Sequence, residues 1–167
     1  MCDVLLIEGG HAHIQVIKHF GMNPQPGVRL TLVSEDVLSP YSGMLPGYVA
    51  GHYSSDDIHF DLAALCSFAG VRLIVAKADG LDLENQLVRF DNRPSIRYDV
   101  LSLNSGAIPM LPSGVDGTTV KPIAHFLPKW HRAKERLTEG EHLVLVGSGG
   151  FLGHWRQSAR LVQVIGS

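Results

Sequence analysis

The spacing of apolar residues changes several times along the chain, and each change predicts an element. Val4-Leu5-Leu6-Ile7 is a continuous apolar run, the pattern of a strand covered on both faces in a parallel sheet. Ile14, Ile17 and Phe20 then recur near helical spacing, which predicts a helix with Gly21 as its C-cap. Asn23-Pro24-Gln25-Pro26-Gly27 reads as a loop, and the β-branched alternation over 28–33 as a second strand. Together these make a βαβ unit of about thirty residues.

Farther along, 71–75 is strand-like, and 80–83, 87–90 and 98–103 are short extended segments punctuated by Glu84-Asn85-Gln86 and Asp91-Asn92-Arg93-Pro94. Closely spaced strands with polar turns predict a small antiparallel meander over 71–103, packed on the main sheet. Leu127, Trp130, Ala133 and Leu137 keep helical spacing, while Lys129, Arg132, Lys134, Glu135 and Arg136 supply a solvated face up to Gly140. The stretch "HLVLVGSGG" (142–150) then repeats the opening order of apolar strand into glycines. These elements predict an α/β fold with a mostly parallel sheet.

Composition narrows the class. With 167 residues, 45% of them hydrophobic, the chain can bury a core and fits one domain or slightly more. A net charge of -2 and nine scattered histidines suggest no nucleic-acid partner. Cys2 and Cys66 lie far apart without zinc or redox spacing, so reduced thiols in a cytoplasmic setting are expected. No signal-peptide pattern opens the chain, and no apolar run approaches the ~20 residues that a spanning helix needs.

The candidate chemistry lies in "LLIEGGHAHIQVI" (5–17). A glycine turn between strand and helix lets a diphosphate approach backbone N–H groups that a Cβ would obstruct. Gly10 takes the second position of the dinucleotide fingerprint, while Glu8 and His13 stand where the first and third glycines belong. From these residues alone, a nucleotide turn and an unliganded strand-turn-helix stay equally open. A metal site is a third reading: His11 and His13 could chelate from an extended segment, but no further ligand stands nearby in sequence.

Four segments together resemble a known family. "LLIEGGHAH", "LTLVSEDVLSPYSGMLPGYVAGHYS" (30–54), "IRYDVLSLNSGAIP" (96–109) and "LVLVGSGG" (143–150) resemble, in order and separation, the FAD-dependent pyridine nucleotide-disulfide oxidoreductase superfamily. The nearest likeness is to NADH dehydrogenase-like flavoproteins found alone or fused to selenide, water dikinase. The resemblance covers about residues 3–150 and implies a Rossmann-like FAD/NAD(P)-binding fold, with His11 and His13 part of the FAD turn.

Carried over by position, the resemblance implies that Gly9, Gly10, His11 and Ala12 line the FAD pyrophosphate. Glu35 is the carboxylate nearest the ribose-binding position, which falls at Ser34. Pro40, Tyr41, Ser42, Gly43, Met44 and Leu45 would approach the isoalloxazine. The Ala78 backbone would pass the adenine, and Asn104, Ser105 and Gly106 would mark where the chain leaves the flavin domain. Gly147, Gly149 and Gly150 would begin the NAD(P) site, although Leu152 replaces its third glycine.

The disulfide-reducing relatives hold a cysteine pair where this chain has Tyr41 to Met44. Electrons would therefore pass from NAD(P)H through FAD directly to a small-molecule acceptor, with a quinone as the candidate class. The family's later segments have no counterpart after Gly150, so the likeness implies a truncated chain. Residues 1–110 would be the N-terminal part of the FAD domain, 111–141 a connection with an amphipathic helix, and 142–167 the start of the NAD(P) domain with an atypical tail. Two alternatives stay open: a non-catalytic nucleotide-binding or interaction fragment, and a domain associated with selenide, water dikinase. Glu8 is the anomaly. Its charge beside a diphosphate is expected to weaken FAD binding by ~1–3 kcal/mol, and Glu8→Gly to tighten it.

Overall fold

The computed structural model describes residues 1–106, 117–136, 144–146 and 162–164. The chain divides into two compact units, Met1–Ser39 with Phe60–Gly106, and Pro40–His59 with Ala107–Ser167. In chain order the first elements are β1 (Cys2–Ile7), α1 (His11–Met22), β2 (Val28–Ser34) and β3 (Leu38–Pro40), followed by the short helix α2 (Leu45–Val49). Next come β4 (His59–Asp61), α3 (Leu62–Ala69), β5 (Arg72–Val75), β6 (Ala78–Asp82), β7 (Leu87–Phe90), β8 (Arg93–Arg97) and β9 (Val100–Leu103). The last are α4 (Ile123–Arg136), β10 (Val144–Val146) and β11 (Val162–Val164).

The first unit is built on a parallel sheet of order β5-β2-β1-β9. Alternation along β1 explains its two-sided burial. Leu6 packs with Ile14 and Ile17 of α1 and with Leu62 and Cys66 of α3. Leu5 and Ile7 pack on the opposite side with Val88, Phe90 and Tyr98. The α/β fold with a parallel sheet and an antiparallel three-strand meander is thus present.

The meander is shorter than its predicted span. It consists of β6, β7 and β8 only, whereas β5 pairs with β2 and β9 pairs with β1, both in parallel. The chain changes sheet between two residues: Tyr98 N–H donates to the Gln86 carbonyl (3.0 Å), and Asp99 N–H to the Asp3 carbonyl (2.8 Å). Arg93 and Pro94, predicted as turn, open β8 instead. Proline is tolerated there because β8 is the edge of its sheet.

Two further elements differ from the pattern-based reading. Gly21 is inside α1, and Asn23 is the C-cap. A Cβ on Gly21 would stand 2.5 Å from Phe68 Cε1 and 3.0 Å from Ala69 Cβ, so this glycine admits α3 against α1. The helix α3 had no predicted counterpart. Asp61 caps it by accepting from Ala64 N–H at 2.9 Å, and Gly70 ends it at φ 64°.

In the second unit, Leu45, Val49 and Ile58 pack with Ile123, Phe126, Leu127 and Trp130 of α4. The Phe126 and Trp130 rings stack at 6.2 Å and 17°. The helix begins at Ile123, ahead of the helical spacing recognised from Leu127, and contains Pro128, which removes one ladder hydrogen bond. β10 pairs in parallel with β11, Val144 opposite Val162. The predicted helix end at Leu137 and the glycines 147, 149 and 150 lie outside the described residues.

Candidate nucleotide-binding turn

β1 delivers the chain to Glu8, whose backbone has φ 71°. That is the left-handed region, which costs a residue with a Cβ roughly 1–2 kcal/mol and explains why glycine is favoured at this point of the fingerprint. Three groups hold the turn in place. Glu8 N–H donates to the Val33 carbonyl at the end of β2 (2.7 Å). The Glu8 carbonyl accepts from His13 Nδ1 (2.7 Å), and the other ring nitrogen, Nε2, lies 2.9 Å from Ser102 Oγ on β9. Nδ1 donates to the carbonyl, and in the neutral ring that burial favours Nε2 accepts from the serine hydroxyl.

His13 therefore fills the space between helix and sheet where the fingerprint calls for a third glycine. Its ring is buried, and burial holds its pKa below the ordinary value, against the carbonyl contact that favours the charged form. The His-x-His chelate is overturned by the same geometry. His11 and His13 lie on α1, where two residues turn through about 200°. Among the described residues, no three His, Cys, Asp or Glu side chains gather into a metal site.

The two glycines serve different neighbours. A Cβ on Gly9 would stand 2.3 Å from Leu62 Cδ1, a core side chain with no solvent exposure. A Cβ on Gly10 would stand 2.3 Å from Asn104 Nδ2. Asn104 reaches the turn because its N–H donates to the Ile7 carbonyl at 3.0 Å, extending the β9–β1 pairing. Its side-chain nitrogen is shut off from solvent and has no hydrogen-bond partner among the described residues. No side chain caps α1, whose first helical bond runs from Ile14 N–H to the Gly10 carbonyl (3.1 Å). The N–H groups ahead of Ile14 stand outside the helical ladder, as at an anion-binding helix start.

The Glu8 side chain lies at the end of β2. Its Oε2 accepts from Ser34 Oγ (3.4 Å), and its carboxylate accepts from Glu35 N–H. Burial, then the charges of Glu35 and Asp36, push the carboxyl above its ordinary range; the two donors oppose the shift. Glu35 itself is exposed and faces Lys77 Nζ at 3.8 Å.

The other predicted site residues are dispersed. His11 and Ala12 open α1 on its exposed side. Ala78 is the first residue of β6 and packs against the Val88 and Phe90 cluster. Ser105 and Gly106 are exposed, with Gly106 at φ 74°. In the second unit, Pro40 ends β3, Ser42 to Met44 form a 3-10 turn, and Leu45 is buried at the start of α2. Tyr41 covers Gly43, where a Cβ would stand 2.7 Å from the ring.

A strand, a glycine turn, an uncapped helix and a parallel second strand decide the comparison with solved structures. The chain carries part of an FAD/NAD(P)-binding Rossmann-like fold. It is similar to the sulfide:quinone oxidoreductase of Aquifex aeolicus, with 24% identity and a TM-score of 0.69 over 87% of this chain and 34% of that one. It is similar to the ferredoxin reductase of the CYP199A2 system from Rhodopseudomonas palustris, with 20% identity and a TM-score of 0.68 over 90% of this chain and 38% of that one. The water-forming NADH oxidase of Lactobacillus brevis matches with 19% identity and a TM-score of 0.65, over 90% and 35%. The chain thus spans roughly a third of the length of these proteins. No protein-family model and no curated protein sequence matches it. Among the described residues, no helix is long and apolar enough to cross a membrane.

Ser102 and Leu62 had no place in the sequence-based site. Ser102 offered no local signal, because its role comes from the pairing of β9 with β1. Leu62 follows a capping aspartate, which with Gly70 was the available sign of its helix.

Proposed function

We propose that this chain supplies the adenine-nucleotide half of an FAD site in a flavin-dependent NAD(P)H oxidoreductase. The observation that carries the reading is the Gly9–Gly10 turn at the uncapped start of α1, faced by the unpartnered side-chain nitrogen of Asn104. A diphosphate at this helix start would give that nitrogen its partner. These residues fit the group. The backbone of Gly10, His11 and Ala12 would hold the diphosphate, the Asn104 amide would donate to it, and the Ala78 backbone would border the adenine. Gly9 keeps the turn close to Leu62.

When bound, FAD supplies two-electron transfer from NAD(P)H to an acceptor. The chain's own part is to bind and orient, with the neutral His13 fixing the turn through Glu8 and Ser102. Residues 40–45 contain no cysteine, which favours an acceptor other than a protein disulfide, and a quinone is the class proposed. NAD(P)H contact at Gly147, Gly149 and Gly150, the domain limits at 110 and 141, and a cytoplasmic setting are parts of the same proposal. A selenide, water dikinase partner belongs to it only through the family likeness.

A second reading is nucleotide binding without electron transfer, which the glycine turn and the uncapped start of α1 would support by themselves. Titration of the purified chain with FAD, followed by flavin fluorescence, tests both readings. Saturable binding with NADH-dependent reduction of a soluble benzoquinone supports the first. Binding without turnover supports the second, and no binding removes both.

A further inference from the structure

We propose that Glu8, from the β1–α1 turn, supplies the carboxylate that accepts the adenosine ribose hydroxyls, in place of an acid at the end of β2. The inference rests on the nucleotide-binding reading of the turn and adds the residue that sets its specificity. In this fold a diphosphate at the start of α1 carries the ribose toward the end of β2, where an acidic side chain accepts from the 2′-hydroxyl. Here β2 ends in Ser34, which has no charge to offer. Glu35, one residue on, is exposed and drawn toward Lys77 Nζ (3.8 Å).

The carboxylate that does lie at this end of β2 comes from Glu8. It accepts from Ser34 Oγ (3.4 Å) and from Glu35 N–H, while Glu8 N–H is fixed to the Val33 carbonyl (2.7 Å). Two donors hold the group, and a carboxylate has lone pairs for more. Glu8 also stands at φ 71°, where glycine would be unstrained. The ligand class follows from the charge: a nucleoside diphosphate with free 2′- and 3′-hydroxyls is accepted, and one with a 2′-phosphate is repelled.

The test is calorimetric titration of the full chain and its Glu8→Gln and Glu35→Gln variants with ADP, 2′-deoxy-ADP and ADP 2′-phosphate at one salt concentration. The unmodified protein should prefer ADP to 2′-deoxy-ADP by roughly tenfold. Glu8→Gln should erase most of that preference and improve binding of the 2′-phosphate, while Glu35→Gln leaves both unchanged. Loss of the preference in Glu35→Gln alone would overturn the proposal. So would equal tightening of all three ligands in Glu8→Gln, the mark of a charge that only repels the diphosphate. Circular dichroism establishes that each variant is folded. If no nucleotide binds to the folded unmodified protein, the nucleotide-binding reading itself fails, an outcome separate from the other two.

Discussion

His13 and Ser102 are 89 residues apart in sequence and 2.9 Å apart in the fold. That one contact joins the first helix to β9, and through the other ring nitrogen it reaches the Glu8 carbonyl in the turn. Replacing the imidazole by a methyl group would leave a carbonyl and a hydroxyl short of a partner and open a cavity. His13→Ala is therefore expected to cost about 2–4 kcal/mol in urea unfolding. A loss below about 0.5 kcal/mol would contradict the bridging role.

The same histidine sets a pH dependence. Its folded pKa lies below the ordinary 6.5 because burial disfavours the imidazolium, so the unfolded chain binds the proton more readily. Its contribution to stability is complete above 6.5 and is lost as pH falls toward the lowered folded value. Glu8, with a raised pKa, contributes in the opposite sense: its share is full below the ordinary carboxyl range and is lost as pH rises through the folded value. Subtracting the urea-stability profile of His13→Gln from that of the unmodified protein cancels Glu8. The difference should be level above 6.5 and decline below it; a flat difference would remove the assignment.

Glu8 offers a backbone test independent of any ligand. Alanine and glycine both delete the side chain and its contacts at Ser34 and Glu35, but only glycine accepts φ 71° without strain. Glu8→Gly should be more stable than Glu8→Ala by about 1 kcal/mol, the reverse of the usual order of the two residues. Paired denaturation curves decide it, and equal midpoints would mean that the turn relaxes.

Gly9 is a packing glycine. Because Leu62 Cδ1 would stand 2.3 Å from an added Cβ and has no room to retreat, Gly9→Ala should destabilise by roughly 1–3 kcal/mol. Pairing it with Leu62→Ala should recover part of that loss. A strictly additive double mutant would argue against the contact.

The thiols should differ in reactivity. Cys66 is buried in the α1–α3 core, and burial pushes its pKa up to about 11, whereas Cys2 is half-buried. Iodoacetamide applied to the folded protein should label Cys2 and spare Cys66, as read by peptide mass spectrometry. Equal labelling would indicate that the core opens.

Much of the first unit was legible in the chain because its signals are local. The apolar run into β1 reflects burial imposed by the sheet itself, and β2, recognised by its β-branched residues, is buried continuously from Leu30 to Ser34. The role of 100–103 was not legible, since four extended residues do not encode which strand they will join, and nearness in sequence favoured the meander. The stretch 62–69 is apolar nearly throughout, so it shows little helical period; Asp61 and Gly70 were its only punctuation. In the turn, glycines 9 and 10 were recognisable by type. Their partners, Leu62 and Asn104, were brought there by tertiary packing that no local pattern reports.

The strand order β5-β2-β1-β9 also carries a timetable. A chain emerging from a ribosome can pair β1 with β2 once Ser34 has appeared, but β1 gains its second neighbour only when Leu103 arrives to sit opposite Ile7. Until then the carbonyl of Ile7 has no Asn104 to meet, and His13 has no Ser102. The nascent turn must wait for its far edge, a long closure that makes such sheets slow to complete.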